Sequence, residues 1–540
     1  MRLASQSALV ALATAGHAAV ISPSRTSSVP EYFQTSFGPW AGPTEAGAPP
    51  FLAQTNPAPF GNPTYIPNTP VVTDVPIPGR SDGAEIFKLM GNLSPYMPNP
   101  SGFGVNEYPL PAGANITQMH MIHRHGSRYP TTGNAVASLQ DRVSELLQGG
   151  ARFKGDLEFL NSWRYELGKE ELTALGRQQL FDSGVLNWFN YGRLYDPSKP
   201  LIARTTSQVR MLQSAENWLN GFFGPDWTKN VTLEVLIEAT GFNNSLAGDK
   251  QCVNSNNDRS SAGDTASSEW QKIYLKNATE RFRRSMTGHA NWTVDDTYNA
   301  QTMCPYETVG LGYSSFCSLF TYEEWLGFEY SLDLSYYGSN SFGSPTGRAV
   351  GVGYVEELVA RLQRHFPHPA EGSVAINETL DDSATTFPLD QSLYLDFSHD
   401  TDIMSMLTAM GLTQFAQFLP ISGPPDDQQL IVSHIVPFAG RFNIEVIKAP
   451  QPVRAKRPQN AHASAYESGE ETTYVHMLMN QRTIPLGRSL KECGDRDDGW
   501  CELQTFVSAL KENIPKAKFD ESCYGNYSVP AYGDITDGAI

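Results

Sequence analysis

One stretch restricts the fold of this chain more than any other. Ile116-Thr117-Gln118-Met119-His120-Met121-Ile122-His123 is followed at once by Arg124-His125-Gly126-Ser127-Arg128-Tyr129-Pro130. The first eight residues mix apolar and polar side chains at short spacing, which suits a strand running into a tight turn at His125-Gly126. Two guanidiniums, Arg124 and Arg128, stand one before and three after His125, and Gly126 leaves room for something to approach the backbone. Like charges beside an imidazole are costly unless an anion neutralises them. Arginine matches the tetrahedral oxygens of phosphate bidentately. The fold therefore has to deliver a histidine in an arginine cradle to an open strand end.

The rest of the chain supplies such a frame. Val136, Leu139, Val143, Leu146 and Leu147 share one helical face, Leu172, Leu175, Leu180 and Val185 begin a second helix, and Trp218, Leu219 and Phe222 close a third. Leu201 to Ala203 reads as a buried strand, and residues 226–344 as an inserted, mainly helical unit. The Gly/Ser stretch from Gly338 to Gly347 leads back to the main body; it lacks Gly-Lys-Ser/Thr, which argues against a phosphate-cradling loop. A helix follows over Val350 to Phe366. Leu393, Leu395 and Phe397 then alternate as a strand that delivers Ser398-His399-Asp400, and a helix starts at Asp402 or Ile403. Phe442, Ile444 and Val446, then Tyr474 to Met479, make a last strand pair. This order predicts an α/β fold, a mixed sheet flanked by helices, with a smaller helical domain inserted. The α/β domain is expected from residues 106–225 and 345–525, with 526–540 as a tail.

Eighteen of the 37 prolines fall between Ser22 and Pro111, so residues 19–105 read as an extended proline-rich arm. Before it, Arg2, the apolar run Ala8 to Ala15 and small residues up to Ala18 predict a signal peptide over 1–18. That run is too short to span a membrane. Secretion is also expected from eight Asn-x-Ser/Thr acceptors, at Asn92, Asn115, Asn230, Asn243, Asn277, Asn291, Asn377 and Asn526. Six cysteines, Cys252, Cys304, Cys317, Cys493, Cys501 and Cys523, suit an oxidising compartment, and their number allows 15 pairings. A net charge of −18 speaks against a nucleic-acid partner. Attraction of an anionic substrate must then come from a local arginine cluster working against the global field.

At this point the chain resembles the histidine acid phosphatase family, which includes fungal phytases. The signature Arg-His-Gly-x-Arg-x-Pro stands at Arg124 to Pro130 and the distal His-Asp pair at His399-Asp400, and the likeness runs from about residue 106 to 525. The resemblance implies a phosphoglycerate-mutase-like sheet. It also implies that His125 attacks phosphorus while Asp400 protonates the leaving alkoxide. Arg124, Arg128, Arg204 and His399 are expected to bind the equatorial oxygens; Arg210, in the segment of Arg204, is expected in a structural salt bridge. No metal or cofactor is required, because guanidiniums replace the cation. Disulfides Cys252–Cys523, Cys304–Cys317 and Cys493–Cys501 are implied in the same way.

Other classes are weaker. His120, His123 and His125 with His399-Asp400 offer metal-ligand types, but two arginines in the same loop repel a divalent cation. Ser127 is not in Gly-x-Ser-x-Gly. A non-catalytic phospholigand-binding glycoprotein is disfavoured because His125 and Asp400 are both present. Phytases of this kind often carry lysines after the heptapeptide and in the inserted domain. Here Thr131 to Val136 and Leu311 to Phe316 have none. The expected substrates are therefore phosphate monoesters broadly, inositol phosphates among them, with a dedicated phytase as the alternative. Acidic operation is expected: at a pH of about 5 an unperturbed histidine of pKa ~6.5 is only ~3% neutral, so the arginines must depress His125, and Asp400 must shift upward.

Overall fold

The computed structural model describes residues 85–199, 201–288, 291–367, 376–459 and 465–540. The expected signal peptide and the first part of the proline-rich arm lie outside them. In chain order the strands are β1 Asn115–Arg124, β2 Arg152–Phe153, β3 Leu201–Thr206, β4 Val231–Leu236, β5 Met286–Thr287, β6 Leu393–Ser398, β7 Arg441–Ala449, β8 Thr472–Met479, β9 Arg482–Thr483 and β10 Cys501–Glu502. The longer helices are α1 Ala135–Gln148, α2 Ala174–Tyr191, α3 Val209–Phe223, α4 Ala262–Tyr274, α5 Lys276–Arg284, α6 Val294–Leu311, α7 Tyr322–Asn340, α8 Gly347–Gln363, α9 Asp400–Ala409 and α10 Leu503–Asn513.

The main sheet runs β10-β8-β7-β1-β6-β3-β4, with β9 paired to β8. β1, β6, β3 and β4 are parallel, and β7, β8 and β10 continue antiparallel. This is the mixed sheet flanked by helices that the pattern predicts. Parallel strands buried on both faces need helices on each side. Met119, Met121, Leu395 and Phe397 pack with Leu180, Trp218 and Phe222 of α2 and α3. Ile122, Ile444 and Met477 join the core of Val355, Leu358, Ile403 and Leu407 from α8 and α9.

The helical unit differs from the expected boundaries in two ways. β4 lies inside 226–344 yet pairs in register with β3, from Leu201↔Val231 to Thr206↔Leu236, so the insertion begins beyond Leu236. Its core is also completed by residues from before it. Val136, Leu139 and Val143 of α1 are buried with Phe282, Trp292, Met303, Trp325 and Phe328, and β2 pairs with β5. An isolated set of amphipathic helices leaves an apolar stripe open, and α1 closes it. α6 and α7 both start in capping boxes, Thr293 with Asp296 and Thr321 with Glu324. The C-terminal residues pack on α8, where the Arg348 guanidinium pairs with Asp537 at 2.6 Å.

Candidate active site

β1 and β6 are parallel neighbours whose last residues, Arg124 and Ser398, lie opposite each other. The residues that follow, His125 and His399, therefore leave the sheet side by side, their rings 5.8 Å apart. The two strand ends thus meet on one sheet edge. α9 starts at Asp400, two residues earlier than the apolar pattern suggests, which sets the carboxyl in the first turn.

His125 is buried, and its Nδ1 lies 2.9 Å from the Gly126 carbonyl. A carbonyl can only accept, so Nδ1 carries the proton and Nε2 keeps the lone pair. What approaches Gly126 is α2. A β-carbon at Gly126 would stand 2.3 Å from the Gly176 carbonyl oxygen, so the glycine lets the loop seat against that helix. Burial, then the charges of Arg124, Arg128 and Arg210, hold the imidazole well below its usual pKa.

Arg124 is fully buried beneath this ring, donating to the Val436 carbonyl at 2.7 Å and stacked over Phe438. Arg128 is half-buried, and its Nε finds no acceptor among the described residues. Arg204 does not join them. It stands within β3 on the α8 face, where its guanidinium is held by Asp396 at 2.7 Å and Glu357 at 2.6 Å. Arg361 pairs with the other oxygen of Asp396, and the whole network is buried. Arg210, expected to be structural, is the third guanidinium acting on His125. It sits in the first turn of α3 and pairs with Glu170 at 2.8 Å, leaving its Nε without an acceptor among the described residues.

Asp400 is buried under four donors. Its Oδ2 accepts from Tyr336 of α7 at 2.6 Å and from the Asn92 amide at 2.9 Å, and pairs with Arg124 Nη2 at 2.6 Å. Its Oδ1 accepts from the Thr401 amide at 3.1 Å. Burial raises the carboxyl pKa, but Arg124, His125, Tyr336 and Asn92 outweigh it and hold the group well below the usual carboxylate range. The shift is thus downward, opposite to the one expected for a proton donor. Asn92 had been expected to carry a glycan; instead its amide is spent on Asp400, and an oligosaccharide there would fill the site.

His399 meets Glu238, which follows the end of β4, with Nε2 at 2.9 Å from the carboxylate and 3.4 Å from Thr206 Oγ. Gln208 donates to the other carboxylate oxygen, and Lys250 approaches it at 3.9 Å. His120 and His123 lie on opposite faces of β1. His120 stacks on Tyr394, His123 bonds Ser183 at 2.8 Å, and burial pushes both down to about 3. They do not converge on one ion. Sequence reasoning missed Tyr336, Glu238 and the contact of Asn92 with Asp400; for Arg210 it anticipated the salt bridge, formed with Glu170, but not the charge it turns on His125. Only Arg210 had a usable signal, a cation at a helix start just beyond a strand that ends on the same sheet edge.

Cys252–Cys523, Cys304–Cys317 and Cys493–Cys501 are all bridged, as the resemblance implied. Of the remaining sequon asparagines, Asn115, Asn243, Asn277, Asn291 and Asn526 are exposed, and Asn230 and Asn377 are partly so.

Known proteins resemble this chain in sequence and in fold. Phytase A of Emericella nidulans is 31% identical over 440 residues, covering 79% of this chain and 88% of that protein. Phytase A of Arthroderma benhamiae is 28% identical over 457 residues, covering 82% and 94%. The crystal structure of the phytase from D. castellii superposes with a TM-score of 0.63 at 25% identity, covering 83% of this chain and 89% of that one. The family model of the histidine phosphatase superfamily, branch 2, matches residues 115–480. A match that opens on the first residue of β1 and closes just past β8 takes in the whole frame around the site, and the chain belongs to that superfamily branch.

Proposed function

We propose that this chain hydrolyses phosphate monoesters through a phosphohistidine on His125, without a metal. The observation that carries the reading is a buried imidazole whose Nδ1–H is tied to Gly126 while three guanidiniums act on the ring. Such a ring stays neutral in acid, and its free Nε2 is a nucleophile for phosphorus. Arg124, Arg128 and Arg210 would take the equatorial oxygens, where charge spreads in the transition state. His399 would join them once its Nε2 leaves Glu238. Asp400 would give its proton to the departing ester oxygen, after which water, activated by the carboxylate, releases phosphate from His125. Trapping with a labelled ester should give a base-stable, acid-labile phosphoenzyme; its absence in an active preparation rules the route out.

Broad specificity, with phytate accepted but not required, is the substrate reading. Eight relatives, those of Emericella nidulans and Arthroderma benhamiae among them, are named Phytase A. The lysine beside His399, Lys250, is already paired with Asp249 at 2.6 Å. That pairing leaves Lys250 less to offer an additional phosphate. Phytate preferred over a simple aryl phosphate by about a hundredfold in kcat/KM, roughly 2.7 kcal/mol, would replace this reading with a dedicated phytase. Export to an oxidising compartment fits the three bridges and the exposed sequons.

A further inference from the structure

The contacts of Asp400 suit a carboxylate rather than a carboxylic acid. Among the described residues, each hydrogen-bond or ion-pair partner of Asp400 donates to it: Arg124 from the end of β1, Tyr336 from α7, Asn92 from the segment before β1, and the Thr401 amide from α9. The other charged or titratable groups facing it are His125, Arg128 and Arg210, with His399 and its partner Glu238 at the adjoining strand ends. A carboxylic acid needs an acceptor for its own O–H, and none of those four contacts offers one without rearrangement. Oδ2 is closed by three donors. Oδ1 meets only one, so the proton has its place on Oδ1.

Resting on the function proposed above, we propose that the free enzyme does not store the catalytic proton and that the substrate brings it, binding as the ester monoanion and passing its proton to Asp400 Oδ1. The step balances: R–O–PO3H⁻ and Asp400 carboxylate become R–O–PO3²⁻ and Asp400 carboxylic acid. Nε2 of His125 then forms the N–P bond as the P–O bond to the leaving group breaks, and the Oδ1 proton goes to that oxygen. Transfer is favourable only with phosphate in place. The dianion it creates is held by Arg124, Arg128 and Arg210, and Arg124 is drawn from the carboxylate toward the phosphoryl oxygens. The reactive substrate class is therefore the monoanion, and acidic operation belongs to the ester as much as to the enzyme.

Two measurements test this. kcat/KM is followed against pH for alkyl and aryl phosphates whose second ionisations differ. The midpoint of the alkaline limb should move with the second pKa of each ester; one midpoint shared by all of them overturns the proposal. Binding of inorganic phosphate to the whole protein is then measured by calorimetry in buffers of different ionisation enthalpy, above the second pKa of phosphate. About one proton should be taken up per site, and Asp400→Asn should take up none. Uptake that persists in Asp400→Asn belongs to His125 and overturns the proposal, as does no uptake in the unmodified enzyme. Failure to form any phosphoenzyme would instead remove the function itself, so the two failures are distinct.

Discussion

Arg124 and Asp400 meet as a 2.6 Å ion pair across the ends of two neighbouring parallel strands. Each is buried, and each is what allows the other to be charged there. The pair binds the acid to the anion cradle, so filling the cradle changes the acid. Arg124→Lys keeps a charge but loses the fork that reaches Asp400 and the Val436 carbonyl together. We expect kcat/KM to fall by about 10²-fold while the fold persists, checked by steady-state kinetics beside circular dichroism.

His125→Ala should remove turnover by at least ~10⁴-fold, since no second nucleophile stands at this position. Intact-mass analysis after a rapid quench should show a phosphorylated species in the unmodified chain and none in the variant. Hydrolysis that survives the substitution would contradict the phosphohistidine route.

Arg204→Ala and Arg210→Ala should separate stability from binding. Removing Arg204 leaves Asp396 and Glu357 with one partner fewer inside the sheet–helix interface, at a cost of about 3–5 kcal/mol. Removing Arg210 breaks a pair with half-buried Glu170 and should leave unfolding nearly unchanged while weakening inhibition by phosphate. Denaturant midpoints and phosphate Ki values decide it; the reverse pattern would restore Arg204 as the ligand.

Glycopeptide mapping should find Asn92 unmodified while exposed acceptors such as Asn277 and Asn526 carry glycan. Asn92→Ala removes one donor from Asp400, an interaction to a charged group worth roughly 1.5–3 kcal/mol. Its effect should appear as an upward-shifted acid limb of the pH profile, a readout that a simple packing defect would not give.

Stability should fall as the medium passes from neutral to mildly alkaline. Burial raises Glu329 and Glu307 to about 7 and Glu356 to about 8. A carboxyl raised in the folded state contributes stability that is complete below its unfolded pKa and lost as pH rises through the folded value. The buried histidines His120, His123, His125 and His434, all held low, act the opposite way and favour the fold as pH rises to about 6.5, so the carboxyl contribution should show as a Tm that declines between roughly pH 6.5 and 8. Glu307→Gln, whose oxygen can still accept from Trp163 while its amide donates to the Ser314 hydroxyl, should flatten that decline. A Tm that rises toward pH 8 would contradict the assignment.

Local sequence determines a large part of this protein. The heptapeptide at the end of β1 and the pair at the end of β6 name their own chemistry, because charge, ring type and strand alternation act within a few residues. The helices from α1 to α3 and α8 likewise follow from spacing and caps. Tertiary structure decided what depends on groups distant along the chain. Arg204 and Arg210 are both arginines near one strand end. Only strand parity, which turns Arg204 toward Asp396 and Glu357, and the start of α3, which carries Arg210 past the sheet edge, tell them apart. Asn92 reads as a sugar acceptor until folding brings it to Asp400, 308 residues away. A side chain's role is set by the field it meets, and that field exists only once the strands have paired.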